Sequence, residues 1–211
     1  MTRDQNPLGH QALKARRTRE NLINATISLI KEGGFAAASS GRIAQRAHIT
    51  WGAAQHHFGT KEEILDAILV LAYETFIATM SAPSLRGGSL EERVGKFIDR
   101  MWTHYQTDLY LVALEILLAT RADRRHPSRA WEARHGLAHI KIIREIFFDS
   151  RLGEAKIKEI LTFIHCCLTG LSIEGAFESD VKGVARHLQR LKTDLLLTLS
   201  AGEEKSAKRR A

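Results

Sequence analysis

Between Ser39 and Glu63 the chain gathers side chains suited to gripping a polyanion: Ser40, Arg42, Thr50, Trp51, Gly52, Gln55, His56 and Lys61. Hydroxyls and free backbone N–H groups at helix starts take phosphate oxygens, while Gln and His can reach the edge of a base. Ser40 and Thr50 each stand where a short helix is expected to begin, and Lys61 opens a third. Gly52 has no side chain, which permits close approach to a sugar–phosphate wall. Trp51 is either a partly buried core residue or an apolar contact to a thymine methyl or sugar. No nucleophile–base spacing, Gly-rich phosphate loop or paired carboxylate is visible, so no catalytic residue, cofactor or enzymatic activity is expected. His135 and His139 lie four apart on one helical face. No acidic residue joins them at a suitable spacing, so no metal site is expected.

These residues need elements that hold them. Residues 1–12 are polar, with Pro7 and Gly9 and no apolar period, and are expected to form a disordered arm. Helix one is expected from about Lys14 to Lys31, with Leu22, Ile23, Thr26, Ile27 and Ile30 facing a core and Gly33-Gly34 as its stop. Helix two is expected from Ser40, as its N-cap, to about Ala47. His48-Ile49 makes the turn, and Thr50 caps helix three, which ends near His57. Thr60-Lys61-Glu62-Glu63 reads as a capping box before helix four, whose stripe is Ile64, Ile68, Leu71 or Ala72, and Phe76. Ser89-Leu90-Glu91-Glu92 is a second box.

Charge marks the same region. Residues 1–61 hold nine basic groups, Arg16, Arg17, Arg19, Arg42, Arg46 and Lys61 among them, against three acidic ones. The whole chain is only +7, so the basic surplus sits on the head and a short tail. Two adjacent Cys residues, Cys166 and Cys167, make no disulfide framework and suit a reducing cytoplasm. They read as a redox switch or, more simply, as small apolar residues. No charge-free run of about 18 residues suggests a membrane span, and the polar start lacks the apolar core of a secretion signal.

Residues 20–65 resemble the tetracycline-repressor (TetR) family of bacterial transcription regulators. The resemblance lies in Leu22-Ile23-x-Ala25, Gly33-Gly34-Phe35, Ile43-Ala44-x-x-Ala47-x-Ile49-Thr50-x-Gly52 and His56-His57-Phe58-x-Thr60-Lys61-Glu62-Glu63-Ile64-Leu65. It implies DNA contacts at Ser40, Thr50, His56 and Lys61, a double-stranded DNA operator as partner, and a body that dimerises and holds a small effector. A repressor released by that effector is the expected function; an activator or effector-independent regulator with the same head is the alternative. Two positions depart from the family pattern. His48 replaces the usual turn Gly, and Gln55 stands where a phosphate-contacting Tyr is common.

The expected fold is all-α, with about nine helices. It comprises a helix-turn-helix head over 13–63, an effector-binding and dimerisation bundle over 64–201, and a disordered basic tail over 202–211. Residues 108–122 are apolar nearly all round and are expected to be a buried central helix, in which Glu115 needs a partner: an internal Arg such as Arg134, or a ligand. Trp102, Tyr105, Tyr110, Trp131, Phe163 and Phe177 either line an effector pocket or fill core, and His135 joins this set. The last two helices, within about 153–200, are expected to pair in a homodimer as a four-helix bundle, with Gly170, Ser172 and Gly175 allowing close contact.

Overall fold

The computed structural model describes residues 7–122, 138–177 and 183–207, and every regular element among them is helical. The order is α1 (Pro7–Gly33), a 3₁₀ turn (Phe35–Ala37), α2 (Ser40–Arg46), α3 (Trp51–Phe58), α4 (Lys61–Met80), a second 3₁₀ turn (Pro83–Leu85), α5 (Leu90–Tyr105) and α6 (Asp108–Thr120). Helix α7 covers residues 138–146, and α8 (Glu154–Phe177) and α9 (Val184–Ala207) follow. The chain divides into two compact units, one of residues 1–73 with 108–127, the other of residues 74–107 with 128–211.

Two expectations at the ends need correction. The arm expected over 1–12 is helical from Pro7 onward. Pro suits the first turn of a helix, and the following Ala, Leu, Lys and Arg are strong helix formers. An Arg16–Glu20 pair at 3.1 Å, four residues apart, adds support. The tail expected over 202–211 is helical as far as Ala207, because Glu203, Glu204 and Lys205 propagate α9 past Gly202. Neither extension carries an apolar period in the sequence, so periodicity misses both.

The first unit has one core. Leu22, Leu29 and Ile30 of α1 meet Ile43 of α2, Ala54 and Phe58 of α3, and Ile64, Leu65 and Ile68 of α4. Val112, Ala113 and Ile116 of α6 close it. On α4 the inward position is Ala72, not Leu71, which is exposed. The helix expected to be buried all round, α6, buries one face only and leaves Leu118 about half exposed. Thr26, fully buried, donates its hydroxyl hydrogen bond to the Leu22 carbonyl at 2.8 Å, which is why a polar residue is tolerated in that stripe.

The turn between α2 and α3 is formed by His48 at φ 56°, the single non-glycine residue with positive φ among those described. Ile49 then donates its N–H to the Ala44 carbonyl at 3.0 Å, turning the chain back toward the core.

The second unit is built on α5, which packs against α8 and α9. Ser89 and Glu92 form the expected capping box, and the Ser89 N–H and hydroxyl hold the Glu92 carboxyl below its usual pKa. Val94, Phe97, Ile98, Met101 and Tyr105 are buried. Phe97 meets Phe147 edge to face, with centroids 5.5 Å apart. Buried Arg93 donates to the Gly88 carbonyl at 2.9 Å and pairs with Asp149, tying the start of α5 to the segment after α7. On α9, Leu188, Leu191, Leu195 and Leu199 are buried at steps of three and four.

The left-handed turn makes a prediction. His48→Gly is expected to be at least as stable as the parent, whereas β-branched His48→Val should lose about 1–2 kcal/mol. Urea unfolding midpoints with a common slope measure both, and the reverse order would contradict the turn geometry.

Candidate nucleic-acid interface

The interface is built on α3. It has eight residues, too few to be stable alone, so its orientation depends on what grips it. Ala54 and Phe58 bury one face. At its start the Thr50 side chain accepts the Ala53 N–H at 3.2 Å, the expected N-cap. At its end Arg19 of α1 donates to the His57 carbonyl, and its guanidinium lies 3.8 Å from the centre of the Phe58 ring. The opposite face is open: Gly52, Gln55 and His56 are exposed, and a Cβ added at Gly52 would meet nothing within 4 Å. Nothing among the described residues therefore demands glycine at 52.

The cap of α2 lies one residue earlier than expected. Ser39, with extended backbone, accepts the Arg42 N–H at 3.4 Å, and Ser40 is already the first helical residue. Ser40 retains an N–H near the helix start, so its suitability for a phosphate is unchanged. Arg42 is exposed. At α4 the predicted box is complete: Thr60 N–H donates to Glu63 at 2.9 Å, and Glu63 N–H to the Thr60 hydroxyl at 3.2 Å. Lys61, half-buried, has its ammonium 4.6 Å from the centre of the Phe35 ring. Trp51 is partly buried and packs on the head core.

The basic residues separate into two kinds. Arg46 is bound to Glu32 through both guanidinium nitrogens, at 2.8 and 2.7 Å, and this contact holds the Glu32 carboxyl below its usual pKa. Arg19 is engaged on α3 as described, and Arg16 on Glu20. Arg17, Arg42 and Lys61 have no carboxylate partner among the described ion pairs. The sequence treated all six as one electrostatic group, because spacing along the chain does not show which cations an internal acceptor holds.

Glu115 finds a partner that sequence reasoning did not name. It accepts the N–H of Phe35, at the first residue of the 3₁₀ turn that leads into α2. The preceding residue, Gly34, has φ 75°, and a Cβ there would come within 3.1 Å of the carboxylate. Lys31 and Asp108 add a 2.5 Å ion pair between α1 and α6. Of the other expected effector residues, Tyr105 is buried, and its hydroxyl and the His165 Nδ1 are 2.6 Å apart. Trp102 and Tyr110 are half-buried, while Phe163 and Phe177 stand exposed on α8 and line no interior. Trp131, Arg134 and His135 lie outside the described residues. His139 lies edge-on to Phe76, with centroids 5.0 Å apart. Ser172 is turned inward, donating to the Tyr105 carbonyl at 2.9 Å, and so is unavailable for the close helix contact expected of it.

A short recognition helix, capped at both ends and presented on a basic three-helix head, matches residues 22–68 to the profile described as bacterial regulatory proteins, tetR family. Over those residues the chain carries a TetR-family head. It is 24% identical to the transcriptional regulator CymR of Pseudomonas putida over 174 residues, covering 81% of this chain and 85% of that protein. Its fold is similar to a TetR-family regulator of Mesorhizobium loti, with a TM-score of 0.68 at 15% identity over 87% of this chain and 96% of that one. It is also similar to the multidrug binding protein EbrR, solved with imidazole, with a TM-score of 0.60 at 17% identity over 83% and 88% of the two chains. The head is thus that of a DNA-binding transcriptional regulator of the bacterial type.

The two kinds of cation are distinguishable by salt. Arg17→Ala should lower the dependence of log affinity on log salt by about 0.9, the signature of one lost phosphate contact. Arg19→Ala should weaken DNA binding with an unchanged slope, because α3 loses its anchor. Equal slope losses in the two variants would return Arg19 to the phosphate contacts.

Proposed function

We propose that this regulator binds a pseudo-palindromic operator as a homodimer, represses transcription there, and is released by a small effector. The observation that carries the DNA reading is the division of α3 into a gripped face, Ala54 and Phe58, and an open face, Gly52, Gln55 and His56. The open face carries no Lys or Arg. Base readout then falls to Gln55 and His56, with Thr50 at the helix start and Trp51 at its edge. Phosphate contacts fall to Ser40, Arg42, Thr50, Arg17 and Lys61. A DNA target places the protein's work in the cytoplasm.

The dimer reading is supported by α8. Phe163, Cys166, Gly170, Ile173 and Phe177 recur at steps of three and four and are all exposed, Phe177 at 82%. This is the spacing of a helix–helix seam, and Gly170 at its centre allows two helices to approach closely. The same helix is long and apolar enough to cross a membrane by composition. A second copy of this face satisfies that apolarity equally well, and the head requires a partner for a two-fold operator. On this reading Phe163 and Phe177 belong to the interface between copies rather than to an effector pocket.

The effector reading draws on the neighbour EbrR, solved with imidazole, and on the size of the body, which exceeds what DNA binding needs. An effector releases DNA only by its differential affinity for the two states of the dimer.

Selection of bound DNA from random sequence tests the operator reading. Lys61→Ala should weaken binding to all sequences alike, and Gln55→Ala should change preference at one base pair per half-site. Identical profiles for the parent and Gln55→Ala would refute the base-reading role. Sedimentation tests the dimer: the parent should sediment as a dimer at micromolar concentration, and Ile173→Glu, with an exposed and folded origin, as a monomer. A monomeric parent would overturn the seam.

A further inference from the structure

Helix α1 is longer than the head needs. Its first buried residue among those described is Leu22, and Leu22, Ala25, Leu29 and Ile30 seat it on the core. Residues 7–21 precede that contact, a helical stretch of about 22 Å at about 1.5 Å per residue. From Gln11 to Asn21 no side chain is buried, and Leu13 is 57% exposed. The stretch leaves the head at a defined place. Arg19 grips the last turn of α3, through the His57 carbonyl and the Phe58 ring, while the far end of α1 is tied to α6 by the Lys31–Asp108 pair. The arm therefore starts beside the end of the reading helix and runs away from the α6 end of the head.

Its chemistry names a partner. Between Pro7 and Arg19 the arm holds Lys14, Arg16, Arg17 and Arg19 and no acidic residue. Arg16 is turned to Glu20, but Lys14 and Arg17, three apart and so on one face, have no carboxylate partner among the described ion pairs. A single exposed leucine makes no apolar docking patch, so a protein partner has little to hold. Two unpaired cations on a helix with no packing of its own fit a polyanion, and the DNA that α3 would read lies at the root of the arm. Helix α3 is about 12 Å long, near the width of the major groove, so an arm of about 22 Å starting at its end reaches beyond the groove that holds α3. We propose that the first half of α1 grips flanking DNA: Lys14 and Arg17 take backbone phosphates outside the half-site read by α3, independently of sequence. This contact rests on the DNA reading above and adds to it phosphates that the half-site does not contain.

Full-length protein and two duplexes test the arm by fluorescence anisotropy. One duplex carries the selected operator cut at the outer edges of its half-sites; the other extends it by about ten base pairs, one helical turn, on each side. The parent should bind the extended duplex on the order of tenfold more tightly, whatever the added sequence, with a steeper dependence of log affinity on log salt. Lys14→Gln, an exposed position where Gln keeps the helix, should lose most of that advantage and lower the slope on the extended duplex by about 0.9 per arm engaged. The same variant should bind the trimmed duplex within about twofold of the parent, since the half-site contacts are untouched. Lys14→Arg should retain the advantage. Equal parental affinity for the two duplexes, an advantage that survives Lys14→Gln, or an equal loss on both duplexes would each overturn the arm while leaving the DNA reading intact. Failure of the parent to bind either duplex would sink the DNA reading and the arm with it.

Discussion

An eight-residue helix has no stability of its own, and everything else in the head follows from the need to hold it by one side. Burial of Ala54 and Phe58 fixes which way it faces. The Thr50 cap fixes where it begins, and Arg19 fixes where it ends by holding the His57 carbonyl and covering the Phe58 ring. Each device uses the gripped face or the termini, so the open face remains free for a partner. The left-handed φ of His48 belongs to the same economy. Two short helices can cross at a steep angle only if the chain between them reverses sharply, and that reversal requires one residue in a conformation most side chains avoid.

The head's second dependence is on α6. A backbone N–H at the start of the Phe35 turn would otherwise be an orphan donor near the core, and Glu115 satisfies it with a charged acceptor. The Lys31–Asp108 pair holds the other end of α6 to α1. Exposed ion pairs contribute little, well under about 1 kcal/mol, so the alignment of α6 rests on Ile116, Val112 and the Glu115 contact. The strand of chain that enters α2 is thereby fixed by a helix more than seventy residues away in sequence, which makes α6 part of the DNA-reading unit in every packing sense.

Much of this was legible in the sequence because the relevant physics is local. Apolar periodicity located α4 and the body of α1. The reciprocal caps at Thr60/Glu63 and Ser89/Glu92 depend on residues three apart, and both form as read. The helix-turn-helix needed only the order of small, apolar and cap residues between 39 and 63. What was not legible depends on distance in space. Glu115 was visible as a carboxylate in want of a partner, but a backbone N–H carries no sequence signature, so Arg134 and a ligand stood in its place. Arg19 and Arg17 are two residues apart and alike in composition; only the fold places Phe58 and a carbonyl beside one of them. Ser39 and Ser40 offered the same chemistry, and the one-residue shift in the α2 cap was decided by which of them has extended backbone. The end extensions of α1 and α9 were missed for the opposite reason: they lie in polar sequence with no apolar period to mark them.

The two long C-terminal helices show how one element serves two surfaces. On α8 the positions Ile157, Ile164 and Leu168 are buried, while Phe163, Cys166, Gly170, Ile173 and Phe177 are exposed, and both rows are apolar. A helix of a soluble monomer would place charge on the second row, since burial of one stripe suffices to fold it. Apolar residues on both rows cost nothing only if both are covered. The inward row meets α5 and α9, and the outward row, with glycine at its centre, has the spacing and the contour for another helix. Ser172 marks the border between them: it sits next to the exposed Ile173 yet turns its hydroxyl inward to the Tyr105 carbonyl. The polarity of that buried contact sets the rotation of α8 about its own axis, because a slip of one residue would strand the hydroxyl in the apolar row. Fixing that rotation decides which residues of α8 remain on its outer face.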